Sequence, residues 1–267
     1  MKIKSDVLYK SFWISLVVFS LIAGILICDL YIEKTEIDLN KRDSNLVIGI
    51  TSNDKLLCVG VLHTAPKNSS VTLLPIHDNL LLSDGSILQD YNVSIQHNSL
   101  LKCINELTGA YINRYLFISV DDLARLTDEI GGFEYLISYP FEHNGVMKSG
   151  NVQLDGSLTR SMFTYSEYDM SKVSLSDIGL SYICSFLSSY SNLADIESTV
   201  ASSAFSSIKG YIHTDLSDEE LIEYFNYLSD FNRMTLYTLE LSGYIRSSSS
   251  RTYFIPETYK TNKNIFK

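Results

Sequence analysis

The longest apolar run opens the chain. Ser11 to Cys28 carries no charged residue over 18 positions, and as a helix it rises about 27 Å at about 1.5 Å per residue. Leu30, Tyr31 and Ile32 extend it past Asp29, so residues 11–32 are expected to cross a hydrocarbon core of about 30 Å. Trp13 and Tyr31 stand near the two ends, where amphipathic rings prefer to lie. Lys2, Lys4 and Lys10 precede the run, which places residues 1–10 in the cytoplasm and the bulk of the chain outside the cell membrane. A cleaved signal peptide needs small residues at its cleavage site, and ICDLYIEK offers none. A lipid anchor at Cys28 would follow a small residue, and Ile27 is not one. The reading is a single-pass signal anchor followed by a charged juxtamembrane linker, residues 33–44.

Beyond the linker the apolar runs shorten to strand length and alternate with helical patterns. Asn45–Ile50 and Leu56–His63 read as buried strands joined by a turn at residues 51–54. Val71–Asn79 is a third strand, in which Pro75 forfeits a ladder hydrogen bond and so implies an edge or a bulge. A polar loop is expected up to Asn98. Leu100, Leu101, Ile104 and Leu107 then fall on one helical face, with Gly109 as the stop. Tyr111–Val120 reads as a strand. Residues 121–132 read as a helix capped by Asp121 or Asp122 and stopped by Gly131-Gly132. The stretch from Phe133 reads as a strand that ends before Pro140. Residues 192–210 read as a further helix. Ser217 and Glu220 fit a capping box ahead of an apolar face made by Leu221, Tyr224, Phe225 and Leu228. Residues 234–243 are a strand, and residues 251–257 a short extended piece. This order predicts one α/β domain, residues 45–257, with helices packed on a central sheet, and a C-terminal tail over residues 258–267.

Composition narrows the function. With 267 residues and 45% apolar content the chain can bury a real core. Its net charge is −10, and the first 28 residues carry three lysines against Asp6 alone, so the acidity lies in the outer domain. Such a surface repels polyanions, which argues against a nucleic-acid partner. Cys28, Cys58, Cys103 and Cys184 show no metal-ligand spacing, and the last three sit in apolar runs as buried free thiols would. No HExxH, P-loop or GxGxxG occurs. Among the 18 tyrosines, Tyr165, Tyr168, Tyr182 and Tyr190 suit either a packed core or a surface that stacks on sugars or contacts protein.

Several stretches, taken in order, resemble the LytR-CpsA-Psr family. They are NLVIGI, VTLLPIHD, the long run SLLKCINELTGAYINRYLFISVDDLARLTDEIGGFEYLISYPF, LDGSLTRSMFTYS, DLSDEELIEYF and TLELSGY. The most specific part is INRYLFISVDDLARLTDEIGGFEYLI, and the resemblance covers about residues 45–257. It implies a membrane-anchored, extracytoplasmic protein of the Gram-positive cell envelope with an α-β-α sandwich fold around a central mixed sheet. The family's enzymes move an anionic glycopolymer from a polyprenyl-diphosphate carrier to peptidoglycan. The polyprenyl chain lies in an apolar tunnel between sheet and helices. Arginines and a divalent metal hold the diphosphate, because bidentate guanidinium groups and Mg²⁺ neutralise its charge well in a dry site.

Carried over position by position, that site is depleted. The resemblance implies an Arg-x-Asp-Thr motif opening the second strand; counting back from Pro66, Lys55 falls at the arginine, Leu57 at the aspartate and Cys58 at the threonine. A Pro-Arg-Asp motif is implied at the end of the third strand, where the text is PIHDN. With a one-residue gap His77 meets the arginine and Asp78 the aspartate. Without it Ile76 and His77 do, and Asp78 lies beyond. Leu154-Asp155-Gly156 matches the third motif, whose two arginines fall on Thr164 and Ser166, with Arg160 earlier on the short helix. SDIGLSYICSF supplies none of the arginines or glutamines implied at the start of the long helix. Lys55 and Asp78 are thus the catalytic candidates, and His77, Arg160, Thr164 and Ser166 stand at ligand-binding positions. Asp78 is the metal candidate, for Mg²⁺ if the family site is retained. Each lost contact to a phosphate costs about 1.5–3 kcal/mol. The expectation is a non-catalytic binding or regulatory member that meets the membrane, a polyprenyl-diphosphate lipid or wall glycopolymer, and no nucleic acid. The alternatives are a divergent ligase using Lys55, Asp78, Arg114 and Arg160, and a tethered protein- or glycan-binding module.

Overall fold

The computed structural model describes residues 42–82, 85–169, 173–196, 209–247, 251–257 and 265–266. The expected transmembrane segment, residues 11–32, lies outside them. Among the described residues no helix is long and apolar enough to cross a membrane.

A six-stranded sheet forms the middle layer. Its strands are β1 (Ser44–Ser52), β2 (Lys55–Ala65), β3 (Ser70–Ile76), β4 (Tyr115–Ser119), β7 (Ile212–Thr214) and β8 (Thr235–Thr238), in the order β7-β4-β1-β2-β3-β8. The sheet is mixed: β4 runs parallel to β1 and β8 parallel to β3, while the other pairs are antiparallel. Asn53 and Asp54 join β1 to β2 with φ of 50° and 62°, the left-handed pair that a two-residue hairpin turn requires. β8 pairs with β3 only as far as Leu73, so Pro75 sits where β3 has no neighbour on that side. This is the edge position expected of it.

Five α-helices are described: α1 (Val93–Thr108), α2 (Val120–Glu129), α3 (Gly156–Thr164), α4 (Leu175–Ile196) and α5 (Asp218–Leu228). Alternation along the strands gives the sheet two apolar faces. On one, Val47, Val61, Leu74, Tyr115 and Phe117 pack with Leu100, Ile104 and Leu107 of α1. On the other, Leu46, Ile50, Leu62 and Ile118 face α2, α4 and α5. The result is the expected α-β-α sandwich. Ile265 and Phe266, in the stretch read as a tail, pack against the α1 side, and Phe266 stacks on His63.

Several boundaries differ from the sequence expectation, each for a local reason. α1 begins at Val93, inside the expected polar loop, because Asn92 accepts the Ser94 amide as a side-chain cap while the first turn keeps an exposed polar face. Gly109 closes it at φ 63°, as expected. The cap of α2 is Ser119, whose hydroxyl accepts the Asp122 amide at 3.1 Å; Asp121 and Asp122 occupy the first turn instead. β5 (Phe133–His143) runs through Pro140 and pairs with β6 (Val146–Leu154) in a separate ribbon. The ribbon's register breaks between Ile137 and Phe141, which accommodates the proline. β9 (Gly243–Ser247) and β10 (Thr252–Pro256) form a second ribbon. Residues 192–196, expected to open a new helix, end α4; the remainder of that expectation lies outside the described residues up to Lys209. The capping box on α5 forms in full.

Candidate functional site

One edge of the sheet gathers the positions singled out in the sequence. The register places Val59 opposite Ile76. Lys55, four residues before Val59, and Asp78, two beyond Ile76, therefore leave the sheet at the same edge. β1 and β4 end there too, with Thr51 beside Ser119. α3 runs antiparallel to α2: the Gly156 amide donates to Asp128 near the end of α2 at 2.7 Å, and Arg160 Nε donates to Asp121 in its first turn at 2.7 Å. Thr164, one turn beyond Arg160, and Ser166 after it are thereby carried to that edge.

The groups at the edge make a poor anion cradle. Asp78 is 5% exposed and accepts the Ser174 hydroxyl at 3.3 Å. Burial pushes its carboxyl above the usual range, and Asp177 nearby pushes the same way. Asp177, which is exposed on one side of the α4 start, is also raised, by partial desolvation and by Glu240, against a pull from His77. The His77 ring stacks on Phe254 at 4.0 Å between centroids. Arg160 is held by Asp121 on an exposed surface. Thr164 turns its hydroxyl back to the Arg160 carbonyl at 2.8 Å. Lys55 and Ser166 are exposed. Arg114 lies before β4, at the opposite edge, in a buried pair with Glu220 at 3.0 Å and near Asp215. It therefore takes no part at this site.

The matched Leu154-Asp155-Gly156 motif does structural work. Asp155 caps α3 by accepting the Leu158 amide at 2.8 Å. A Cβ at Gly156 would overlap the Ala124 carbonyl and the Asp128 carboxylate, so only glycine lets α3 approach α2 this closely. Of the four tyrosines, Tyr168, Tyr182 and Tyr190 are buried, and the Tyr182 hydroxyl meets Thr127 at 2.5 Å. They are core residues and not a sugar-stacking surface.

Three cavities follow α4 from its middle to its start. The first, about 130 Å³, is apolar and lies between Leu46, Ile50 and Ile118 of the sheet and Phe186, Leu187 and Leu228 of the helices. The second is a small cavity of about 20 Å³ bounded by Ser176, Gly179, Leu180 and Ile183. The third, about 230 Å³, is polar and is lined by Pro75, His77, Ser174, Asp177, Glu240 and Leu241. Ser176 fixes the helix start to the sheet by donating to the Ile76 carbonyl, and Gly179 packs directly on the Cys58 sulfur. Burial raises the Cys58 thiol to about 12, which makes it an inert core group. Ser174, Ser176, Asp177 and Glu240 were not singled out by sequence reasoning. The only signal was a polar run, VSLSD, opening an otherwise apolar helix.

Mg²⁺ does not fit this edge in the family manner. Among the described residues no three His, Cys, Asp or Glu side chains stand together as a metal set. Leu57 stands at one aspartate position, and Asp78, the candidate ligand, is desolvated and engaged by Ser174.

The architecture is thus a sandwich with a buried cluster under α1, a hollow under α2, α4 and α5, and a polar cavity at the start of α4. No family model and no curated protein matches the sequence; the likeness is one of fold. The chain shares its fold with the LytR-CpsA-Psr enzymes TagV and TagT. TagV of B. subtilis is 16% identical over 81% of this chain and 92% of its own, with a TM-score of 0.63. TagT bound to LI-WTA is 11% identical over 84% and 88%, with a TM-score of 0.64. Protein gbs0355 from Streptococcus agalactiae is 14% identical over 84% and 85%, with a TM-score of 0.66.

Proposed function

We propose that this chain is a membrane-anchored, extracytoplasmic component of cell-envelope assembly. On this reading it holds an amphiphile in its hollow face and acts as a binding or regulatory member, not as a transferase. The observation that carries the reading is the pairing of a kept cavity with a changed rim. A void of about 130 Å³ costs on the order of 3 kcal/mol at about 24 cal/mol per Å³, and a chain under selection for stability alone would fill it. At the rim, Lys55, His77, Thr164 and Ser166 stand where the resemblance implies the guanidinium groups that phosphoryl transfer relies on for charge stabilisation. Lys55 and Arg160 are the basic candidates at that edge, and Arg160 is already paired with Asp121.

The test is a transfer assay on the full-length chain in nanodiscs, with a polyprenyl-diphosphate-linked glycopolymer, peptidoglycan and Mg²⁺. No transfer and no diphosphate release are expected. Turnover that Asp78→Ala abolishes would establish the divergent ligase instead.

A further inference from the structure

The two end strands of the central sheet are unequal. β7 is three residues long, and so short an edge offers little to pair with. β8, at the other end, has four residues, and every one is exposed. Its ladder to β3 fixes which backbone groups point outward. The Thr235 amide donates to the Ser69 carbonyl at 3.0 Å, and the Leu239 amide to the Leu73 carbonyl at 2.9 Å. Residues 235, 237 and 239 therefore turn their N–H and C=O groups toward β3. Leu236 and Thr238 turn theirs away, and among the described residues no hydrogen bond reaches them.

An edge that must stay single carries a lysine, a proline or a bulge, or lies under a loop. Residues 235–238 read TLYT in regular register, and Leu236 and Tyr237 stand 41% and 55% exposed. This strand is also complementary to itself. An antiparallel hydrogen-bonded pair joins residues whose groups point at each other. A two-fold axis at Tyr237 meets that condition, since Leu236 of each copy then faces Thr238 of the other. Tyr237 meets its own copy at the non-hydrogen-bonded position, where side chains stand closest and aromatic pairs are favourable. Arg233, bonded through Nη1 to Asp230, precedes the strand, and Glu240 follows it. Antiparallel pairing thus sets the Arg233 end of each copy against the Glu240 end of the other. The strand between is uncharged, so two copies of an acidic chain can meet here without like charges opposed.

We propose that two copies of this chain join their sheets through antiparallel pairing of β8 with β8, centred on Tyr237. The contact is isologous, as a two-fold dimer requires, and makes one continuous sheet from two of six strands. A four-residue strand pair is small beside a standard interface of about 1,600 Å², so the pairing depends on concentration. It is independent of the hollow face and of whatever that face holds.

Sedimentation of the full-length chain in detergent tests the proposal, with disulfide crosslinking as a second measurement. The native chain should pass from monomer to dimer as its concentration rises. Leu236→Pro removes an outward amide and leaves the β3 ladder whole. It should weaken the dimer at least about tenfold, or about 1.4 kcal/mol. If that variant does not fold, Thr238→Lys, at an exposed position, should weaken it likewise. Cα atoms in a non-hydrogen-bonded pair stand about 4.5 Å apart, within the range of a disulfide. Tyr237→Cys should therefore crosslink two copies in oxidised glutathione, beyond any background of the native chain. Thr235→Cys faces Leu239 of the other copy and should not. A native chain that stays monomeric at every concentration overturns the proposal, even if another protein's strand takes the edge. A dimer that survives the edge substitutions and crosslinks no better through Tyr237→Cys than through Thr235→Cys uses another surface, and overturns it too.

Discussion

The two faces of the central sheet are built from the same strands and end differently. Under α1, Val61, Tyr115 and Phe117 meet Leu100, Ile104 and Leu107 in one continuous buried cluster. Under α2, α4 and α5, Leu46, Ile50, Leu62 and Ile118 alternate just as regularly, yet they border about 130 Å³ of empty space. Atoms facing such a void lose their dispersion partners. Alternation therefore says that a face is apolar, and only packing says whether it is filled. The filled face is a stability device; the hollow one gives up stability, which points to use.

The largest expected effect separates the faces directly. Leu100→Ala, at a side chain fully out of solvent under α1, should cost about 3–5 kcal/mol in denaturant unfolding. Leu187→Ala, at the wall of the hollow, should cost about 2 kcal/mol, the low end of that class, because its neighbours already lack contacts on one side. Equal losses would mean that the hollow is packed in solution. Ser217→Ala removes the α5 capping box and should cost about 1 kcal/mol. Leu187→Phe sharpens the comparison from the other side. It should leave stability unchanged or raised by up to about 1 kcal/mol and abolish binding of any short prenol that the hollow takes, whereas an enlarged residue under α1 should only destabilise.

The rim has a pH signature. The Asp78 carboxyl is raised by burial, and that of the more exposed Asp177 by partial desolvation, so the folded state favours their protonated forms. Their contribution is complete below the ordinary carboxylate value of about 3.9 and is lost as pH rises through the raised folded values. Unfolding midpoints should fall as pH climbs from about 4, and Asp78→Asn should flatten that fall. An unchanged slope would show that Asp78 is not desolvated. Smallest of all, Arg160→Ala should shift stability by no more than about 0.5 kcal/mol, because its pair with Asp121 is exposed.

Much of the frame was legible in the residues. β1 to β3, the apolar stripe of α1, the Gly109 stop and the Ser217–Glu220 box follow from patterns that act within a few residues of themselves. The β5–β6 ribbon did not emerge, although Asn144-Gly145 is a hairpin signal and both residues sit at positive φ, 51° and 77°. Pro140 reads locally as the end of a strand, and only the register break between Ile137 and Phe141 lets β5 continue through it. At the positions where the resemblance implies arginines, the text carries Lys55, His77, Thr164 and Ser166, a difference visible residue by residue. The acids that gather nearby could not be read in that way, since Asp78, Asp177 and Glu240 come from three separate elements and meet only through the fold. The hollow was equally hidden, because its wall and the filled core carry the same residue types.

On the proposed reading the chain keeps a cavity and lacks a working diphosphate site. The most direct test of that reading compares a short prenyl diphosphate with the matching prenol, each titrated into the full-length chain with Mg²⁺ present. The native chain should bind the diphosphate no more tightly than the alcohol, and Thr164→Arg with Ser166→Arg should shift the balance toward the diphosphate. A native chain that already prefers the diphosphate would contradict the account.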